Sequence, residues 1–169
     1  MTGKSSELPV DGRGKRATLV VARFHAGIAE QLVAGARAAL RSAGVEEDAV
    51  EEFSVAGTFE LAPAVRQVMG EEPEPDVIIA LGAVIRGATP HFDFVAGAAV
   101  DALQRLAVEL NVPVGLGLLT TDTAEQAAQR ADPKGLDKGG EAARAALAQA
   151  ALYDRLRSTR AAVRGFRVS

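Results

Sequence analysis

The strongest constraint on the fold is a pair of short apolar runs, each followed by residues with helical spacing. Residues 17–22 read ATLVVA and residues 76–81 read DVIIAL. Such runs are typical of strands that are buried on both faces of a sheet. Similar patterns predict strands at 50–55 and 113–119, and helices at 27–43, 60–69, 91–111, 123–131 and 140–157. Strands that alternate with helices favour right-handed crossovers, so we predict an α/β fold with helices on both faces of a four-stranded parallel sheet.

The length of the chain indicates its domain organisation. Its 169 residues suffice for one compact domain. We predict a flexible arm at residues 1–16, a domain at 17–154, and a basic tail at 155–169 that carries five arginines and no acidic residue. A solvated extension is the first interpretation of the tail. The second is a segment that attracts an acidic partner or lines the interior of an assembly.

The composition argues against several classes of function. Cysteine is absent, which excludes disulfides and thiolate chemistry. His25 and His91 are the two histidines, too few for a zinc site without added carboxylates, so we expect no metal. A net charge of -3 leaves no basic footprint over the whole chain, and we expect no nucleic-acid partner. The polar first residues and the lack of about eighteen consecutive apolar residues predict a cytoplasmic protein that crosses no membrane.

Four loops follow the predicted strands, at residues 23–26, 56–60, 83–90 and 120–123. Ligands of parallel α/β sheets bind beyond the carboxyl ends of the strands, so these loops are the candidate binding segments. In the third loop, Thr89 is a favoured N-cap and Pro90 a favoured first helical residue. A helix start of this kind binds phosphate well, and an imidazole at His91 can exchange protons near neutral pH. The simpler interpretation is that Thr89 is only a cap and His91 only a surface residue.

Three other segments have weaker signals. In the second loop, Thr58, Phe59 and Glu60 could hold a polyhydroxylated chain, although Glu60 also suits the first turn of any helix. Phe24 could stack on a planar heterocycle, or simply pack in the core. Arg130 could hold a phosphate or cap the carbonyls of its own helix. Lys138 is predicted in a loop beside two glycines, where a solvated lysine is the simpler interpretation.

Taken together, several stretches resemble the lumazine synthase family, whose members make 6,7-dimethyl-8-ribityllumazine, the precursor of riboflavin. The most specific is the fifteen-residue block LGAVIRGATPHFDFV at 81–95. The others occur in family order and are ARFH at 22–25, GTFEL at 57–61, LLTTDT at 118–123, EQA at 125–127, RA at 130–131 and DKG at 137–139.

The resemblance implies a flavodoxin-like three-layer sandwich and a transferase that uses neither a metal nor an organic cofactor. Its substrates would be 5-amino-6-(D-ribitylamino)uracil and 3,4-dihydroxy-2-butanone 4-phosphate. The amine and the ketone would condense to an imine, and phosphate would be eliminated. Ring closure with loss of water would then yield the lumazine.

The resemblance also implies a role for each matching residue. His91 would transfer protons, while Ala88 and Thr89 would bind the phosphate. Phe24 would stack on the pyrimidine ring. The ribityl chain would be held by Thr58, Phe59 and Glu60, and the pyrimidine edge by the backbone of Ala83, Val84 and Ile85.

The family builds each site between neighbouring subunits of a pentamer. Leu116 and Arg130 would therefore come from the adjacent chain, with Arg130 facing the phosphate. Lys138 would be a second charge near that phosphate. Some members assemble twelve pentamers into a hollow shell. The short connection between Arg130 and Lys138 favours such a shell here.

Three positions depart from the family pattern. Leu116 stands where an aromatic residue is common, which predicts weaker stacking. Ala56 replaces a proline, with Pro63 following instead, and His25 stands where asparagine is frequent. None of these changes removes a proposed catalytic group, so we predict an active enzyme.

Two alternative functions differ in how well the sequence supports them. The chain could be a paralogue that binds flavin or lumazine without making it, or a storage shell. A flavodoxin-like phosphoreceiver would need acidic residues clustered at strand ends to hold magnesium, and the sequence lacks that cluster.

Overall fold

The computed structural model describes residues 10–165, with side chains through residue 160. Its elements, in chain order, are β1 (Ala17–Ala22), α1 (Ala26–Ser42), β2 (Val50–Val55), α2 (Leu61–Val68), β3 (Val77–Ile85), α3 (His91–Glu109), β4 (Val114–Thr121), α4 (Ala124–Ala131) and α5 (Lys138–Gly165). Short 3-10 turns, at Glu47–Ala49 and Thr58–Glu60, precede β2 and α2.

All four strands are parallel, in the order β2-β1-β3-β4. Every residue of β1 is buried. Leu19 and Val21 of β1 belong to an apolar cluster with α1, α4 and α5, whereas Val20 belongs to a cluster with α2 and α3. Because both faces of a central parallel strand are covered, its sequence is continuously apolar. The predicted three-layer α/β sandwich is confirmed.

The carboxyl ends of β3 and β4 extend further than predicted. The predicted end of β3 is Leu81, with a loop from Gly82 to Pro90, but the strand continues through Ile85. The reason is that Gly82–Ile85 pair with Leu118–Thr121 of β4, which also passes its predicted end. This pairing joins segments distant in sequence, so the local pattern does not reveal it.

Helix α5 is longer than predicted at both ends. The prediction that Lys138 lies in a loop is wrong: it is the first residue of the helix, where its ammonium pairs with Glu141 at 2.5 Å. At the far end the helix runs through the predicted tail as far as Gly165. Alanine and arginine are good helix formers, which explains why the helix persists although residues 155–160 are exposed. Residues 166–169 of the tail lie outside the described residues.

The predicted N-terminal arm is described from residue 10 onward. Val10 packs against the core, and the N–H of Gly12 donates to the carbonyl of Ala43 at 2.8 Å. Lys15 pairs with Asp154 of α5 at 2.7 Å, at the amino end of the sheet. Within residues 10–165, no helix is long and apolar enough to cross a membrane.

Candidate functional site

A cleft of about 620 Å³ opens where the carboxyl ends of β1, β2 and β3 meet the start of α3. The chain crosses from β1 to β2 on one side of this point and from β3 to β4 on the other. Open parallel sheets bind ligands at such switch points, and the volume suits a small organic molecule. Nine predicted site residues line the cleft: Phe24, Thr58, Phe59, Glu60, Ala83, Val84, Ile85, Thr89 and His91.

The extended end of β3 forms one wall of the cleft. The register of β3 with β1 ends at Leu81, so Ala83–Ile85 are paired with β4 on one side and have no strand on the other. Backbone N–H and C=O groups at such an edge can bind a planar ring that carries its own donors and acceptors. Gly82 lies where the cleft begins, and a Cβ there would come within 2.9 Å of the Cβ of Ala22. Glycine therefore keeps β1 and β3 close at this point.

The turn at Gly57–Glu60 lines the cleft next to the end of β3. The N–H of Gly57 donates to Oε2 of Glu60 at 2.9 Å, so the Glu60 carboxylate caps its own turn. The Thr58 side chain is buried, whereas Glu60 is exposed. An ionised carboxylate has about four acceptor sites. Capping the turn therefore leaves Glu60 able to accept hydrogen bonds from a ligand.

Exposed aromatic rings surround the cleft. Phe24 is 79% exposed, Phe59 64% and Phe94 74%. The interpretation that Phe24 packs in the core is wrong, because β1 ends at Ala22 and Phe24 lies in the turn before α1. Its ring meets the ring of His25 edge-on, with centroids 5.0 Å apart. Exposed rings at the mouth of a cleft offer stacking surfaces for a planar ligand.

The start of α3 brings His91 to the cleft. The helix begins at His91 with Pro90 as its N-cap residue, and no side-chain oxygen caps it. The prediction that Thr89 is the N-cap is therefore wrong by one residue, since Pro90 occupies the capping position. The first N–H groups of a helix have no intrahelical partner and lie at the positive end of its dipole. Thr89 and His91 thus lie where an anion would be stabilised.

Sequence reasoning missed several lining residues on the first turns of α3. Phe92, Phe94 and Val95 line the cleft beside His91. His91, Phe94 and Val95 are related by three and four positions, which places them on one helical face. This spacing is visible in the sequence and could have identified them. His25, Gly57 and Gly87 also line the cleft.

Four predicted site residues are not among those that line the cleft. Ala88 lies between Gly87 and Thr89, both of which do. Leu116 is 48% exposed on β4, at the edge of the sheet. Arg130 donates from Nη1 to the carbonyl of Gln126 at 3.1 Å. In the single chain it therefore caps the carbonyls of its own helix, one of its two predicted roles. Lys138 pairs with Glu141, as described above.

The cleft combines a stacking rim, a polar turn, an open strand edge and an anion-binding helix start beside an imidazole. This arrangement can bind a planar ring with a polyhydroxylated substituent, and an anion next to a group that exchanges protons. Within the described part of the chain, no group of three or more His, Asp or Glu side chains is placed to hold a metal ion.

Comparison with known proteins gives consistent matches. The sequence profile of the family described as 6,7-dimethyl-8-ribityllumazine synthase matches residues 14–154. A protein of that name from Anaeromyxobacter sp. (strain Fw109-5) is 47% identical over 137 residues, covering 81% of this chain and 83% of the relative. The Kineococcus radiotolerans protein is 47% identical over 150 residues, with 87% and 91% covered. That of Nitratidesulfovibrio vulgaris is 43% identical over 153 residues, with 90% and 97% covered.

Proposed function

The chain belongs to the 6,7-dimethyl-8-ribityllumazine synthase family, and we infer that it carries out the reaction of that name in riboflavin biosynthesis. It condenses 5-amino-6-(D-ribitylamino)uracil with 3,4-dihydroxy-2-butanone 4-phosphate. The amine adds to the ketone and water leaves to form an imine. Elimination of phosphate and ring closure with loss of a second water give 6,7-dimethyl-8-ribityllumazine.

The observation that carries this inference is that one cleft collects nine residues from four separate segments of the chain. The rim and the turn suit the aminouracil: Phe24 stacks on the pyrimidine, and Thr58, Phe59 and Glu60 hold the ribityl chain. The free edge at Ala83, Val84 and Ile85 hydrogen-bonds the pyrimidine. At the other end, Ala88 and Thr89 bind the phosphate.

In this proposal His91 moves protons during imine formation and phosphate elimination. General acid–base transfer contributes about 10²–10⁴-fold to a rate. Holding the amine and the ketone in reacting geometry can supply several kcal/mol more. These two effects can operate without a metal or an organic cofactor, and we propose that the enzyme uses neither.

We further propose that the site is completed by a neighbouring subunit of a homopentamer. In the single chain the cleft has three exposed aromatic rings, and Leu116 is half exposed on the edge strand. An adjacent chain would bring its Leu116 and Arg130 to the rim, with Arg130 facing the phosphate and Lys138 as a second charge near it. Assembly of pentamers into a shell and a cytoplasmic location belong to the same proposal.

The two-substrate assay tests the function. Purified protein mixed with both substrates should develop the absorbance and fluorescence of the lumazine, with release of one phosphate per product. A rate no faster than the spontaneous reaction would contradict the enzyme. Tight binding of the lumazine without turnover would instead indicate a binding paralogue or a storage shell.

Light scattering tests the assembly. We expect a particle of at least five chains in dilute solution. A stable monomer that turned over both substrates would be incompatible with a site shared between chains.

A further inference from the structure

The guanidinium of Arg86 occupies the centre of a small charged cluster behind the cleft. Its Nε donates to Asp122 at 2.9 Å, and its two Nη atoms donate to the two oxygens of Asp93 at 3.2 Å each. Its Cζ lies 4.1 Å from the centre of the Phe92 ring. The planar cation therefore has two carboxylates at its edges and an aromatic ring against its face.

These contacts join three elements at the carboxyl end of the sheet. Arg86 is the first residue after β3, Asp93 lies in the first turn of α3, and Asp122 follows β4. The N–H of Arg86 also donates to the carbonyl of Thr121 at 2.9 Å, which continues the β3–β4 pairing by one residue. The Arg86–Asp93 pair therefore closes the short loop that carries Thr89 and leads into His91.

The loop has few other restraints. Residues 86–91 are all exposed, and a side chain added at Gly87 would meet no atom within 4 Å. Phe92, on which the guanidinium lies, itself lines the cleft. A bidentate ion pair and a cation–π contact therefore join this wall of the cleft to Arg86. The two-pronged pair with Asp93 requires the planar fork of arginine.

The charge of Arg86 matters as well as its shape. The hydrogen bonds to Asp93 and then Asp122 raise the pKa of its guanidinium. Without this cation, two carboxylates would stand unneutralised near the loop that is proposed to bind phosphate. Like charges repel an incoming anion, so their exposure would weaken phosphate binding.

We propose that Arg86 is a positioning residue for the phosphate half of the site, an inference that rests on the proposed function. It holds the Gly87–Pro90 loop and the first turn of α3 in the arrangement that presents Thr89 and His91 to the substrate. It acts through Asp93, Asp122 and Phe92.

Replacement of the cation tests this role. In Arg86→Gln we expect KM for the phosphorylated substrate, and the inhibition constant of inorganic phosphate, to rise about tenfold or more. KM for the aminouracil should stay within about twofold, because Phe24 and Thr58 lie on other segments and the edge at Ala83–Ile85 is held by its backbone pairing with β4. Amide hydrogen exchange over residues 87–92 should become faster.

Two further variants separate shape from charge. Arg86→Lys keeps the charge but lacks the fork, so it should recover only part of the phosphate affinity. Asp122→Asn removes one anchor of the guanidinium and also one negative charge near the loop. A raised phosphate KM in this variant supports positioning, whereas a lowered KM would overturn it in favour of a charge effect alone. Full recovery by lysine would overturn a role that depends on the guanidinium fork.

The matched control is Arg13→Gln. Arg13 makes a bidentate pair with Asp11, by Nε at 2.9 Å and Nη2 at 2.7 Å, before β1 at the other end of the sheet. In Arg13→Gln, KM for the phosphorylated substrate, the inhibition constant of inorganic phosphate and amide hydrogen exchange over residues 87–92 should match those of the unmodified protein. Equal values for Arg86→Gln and Arg13→Gln would overturn the proposal, as would equal losses for both substrates together with a lower melting temperature.

These experiments distinguish failure of the proposed function from failure of the proposed role of Arg86. If the unmodified protein makes no lumazine, the function is wrong, and hydrogen exchange at residues 87–92 still reports whether Arg86 orders the loop. If the unmodified protein turns over normally and Arg86→Gln does too, the role of Arg86 alone is wrong.

Discussion

The contact between α1 and α5 is tightly packed within the chain, whereas large apolar side chains at the rim of the cleft are exposed. A methyl group added at Gly139 of α5 would overlap the backbone carbonyl of Leu32 in α1. One added at Gly35 of α1 would overlap the carboxylate of Asp137. At this seam the helices are in direct contact and no space remains.

At the rim of the cleft, by contrast, Phe24, Phe59 and Phe94 are each more than 60% exposed. Large apolar rings grouped around a cavity are unfavourable in water unless something outside the chain covers them. The seam is thus completely packed within one chain, whereas the rim leaves its apolar rings open to the proposed substrate and the proposed neighbouring subunit. Changes at the seam should therefore affect stability, and changes around the cleft should affect binding and turnover.

The largest effect is expected at the cleft. His91→Ala should lower kcat by about 10²–10⁴-fold, because it removes the proposed proton-transfer group. The aminouracil should still bind, since stacking and backbone contacts remain, and the melting temperature should change little. Single-turnover kinetics and a fluorescence titration measure the two quantities. Loss of binding in a normally folded variant would contradict the assigned role.

The next effect is expected at the seam. Gly139→Ala should lower the free energy of unfolding by about 1–3 kcal/mol, because the new methyl forces two backbones apart. Denaturant unfolding measures this change. Gly27→Ala is the matched control, since an added methyl in α1 meets no atom within 4 Å there. Equal denaturant midpoints for the two variants would show that the contact between α1 and α5 can accommodate an added methyl group, which would contradict tight packing there.

Arg130→Ala tests whether Arg130 acts within its own chain or at the site of a neighbouring chain. Among the described residues, Arg130 makes one hydrogen bond, to the helix carbonyl of Gln126, so stability should hardly change. If Arg130 faces the phosphate of an adjacent site, the apparent KM for the phosphorylated substrate should rise about tenfold, because charge-assisted hydrogen bonds are lost.

Arg41→Ala is the control for this variant, because Arg41 also lies in the last turn of a helix. Steady-state kinetics with each substrate varied in turn make the comparison. A KM for Arg130→Ala that equals the value for Arg41→Ala would remove Arg130 from the phosphate site.

The smallest effect concerns a cap that the chain completes locally. The Thr123 hydroxyl accepts from the N–H of Gln126 at 3.2 Å, and the Gln126 side chain accepts from the N–H of Asp122 at 3.0 Å. Thr123→Ala should therefore cost about 1 kcal/mol of stability, and Thr123→Ser much less. Thermal melting of the two variants tests this, and indistinguishable melting temperatures would contradict the capping role.

Much of the fold could be predicted because it is encoded locally. The bounds of β1 and β2 are those predicted, since each is a short run between turn residues. The cap of α4 is equally local, because the Thr123 hydroxyl accepts from an N–H only three positions away. The convergence of nine site residues on one cleft follows from a general rule, that the carboxyl ends of parallel strands meet at one edge.

The amino-acid sequence is sufficient to predict the set of strands and helices, their layered arrangement, and the loops that meet at the cleft. Three features emerge only in the folded chain: the length of β3 past Leu81, the exposure of Phe24, and the contacts of Arg86 with Asp93 and Asp122. The difference arises from the separation in sequence between the residues that interact. Periodicity and caps depend on neighbours within a few residues, whereas pairing, burial and ion pairs between segments depend on where the whole chain brings them together.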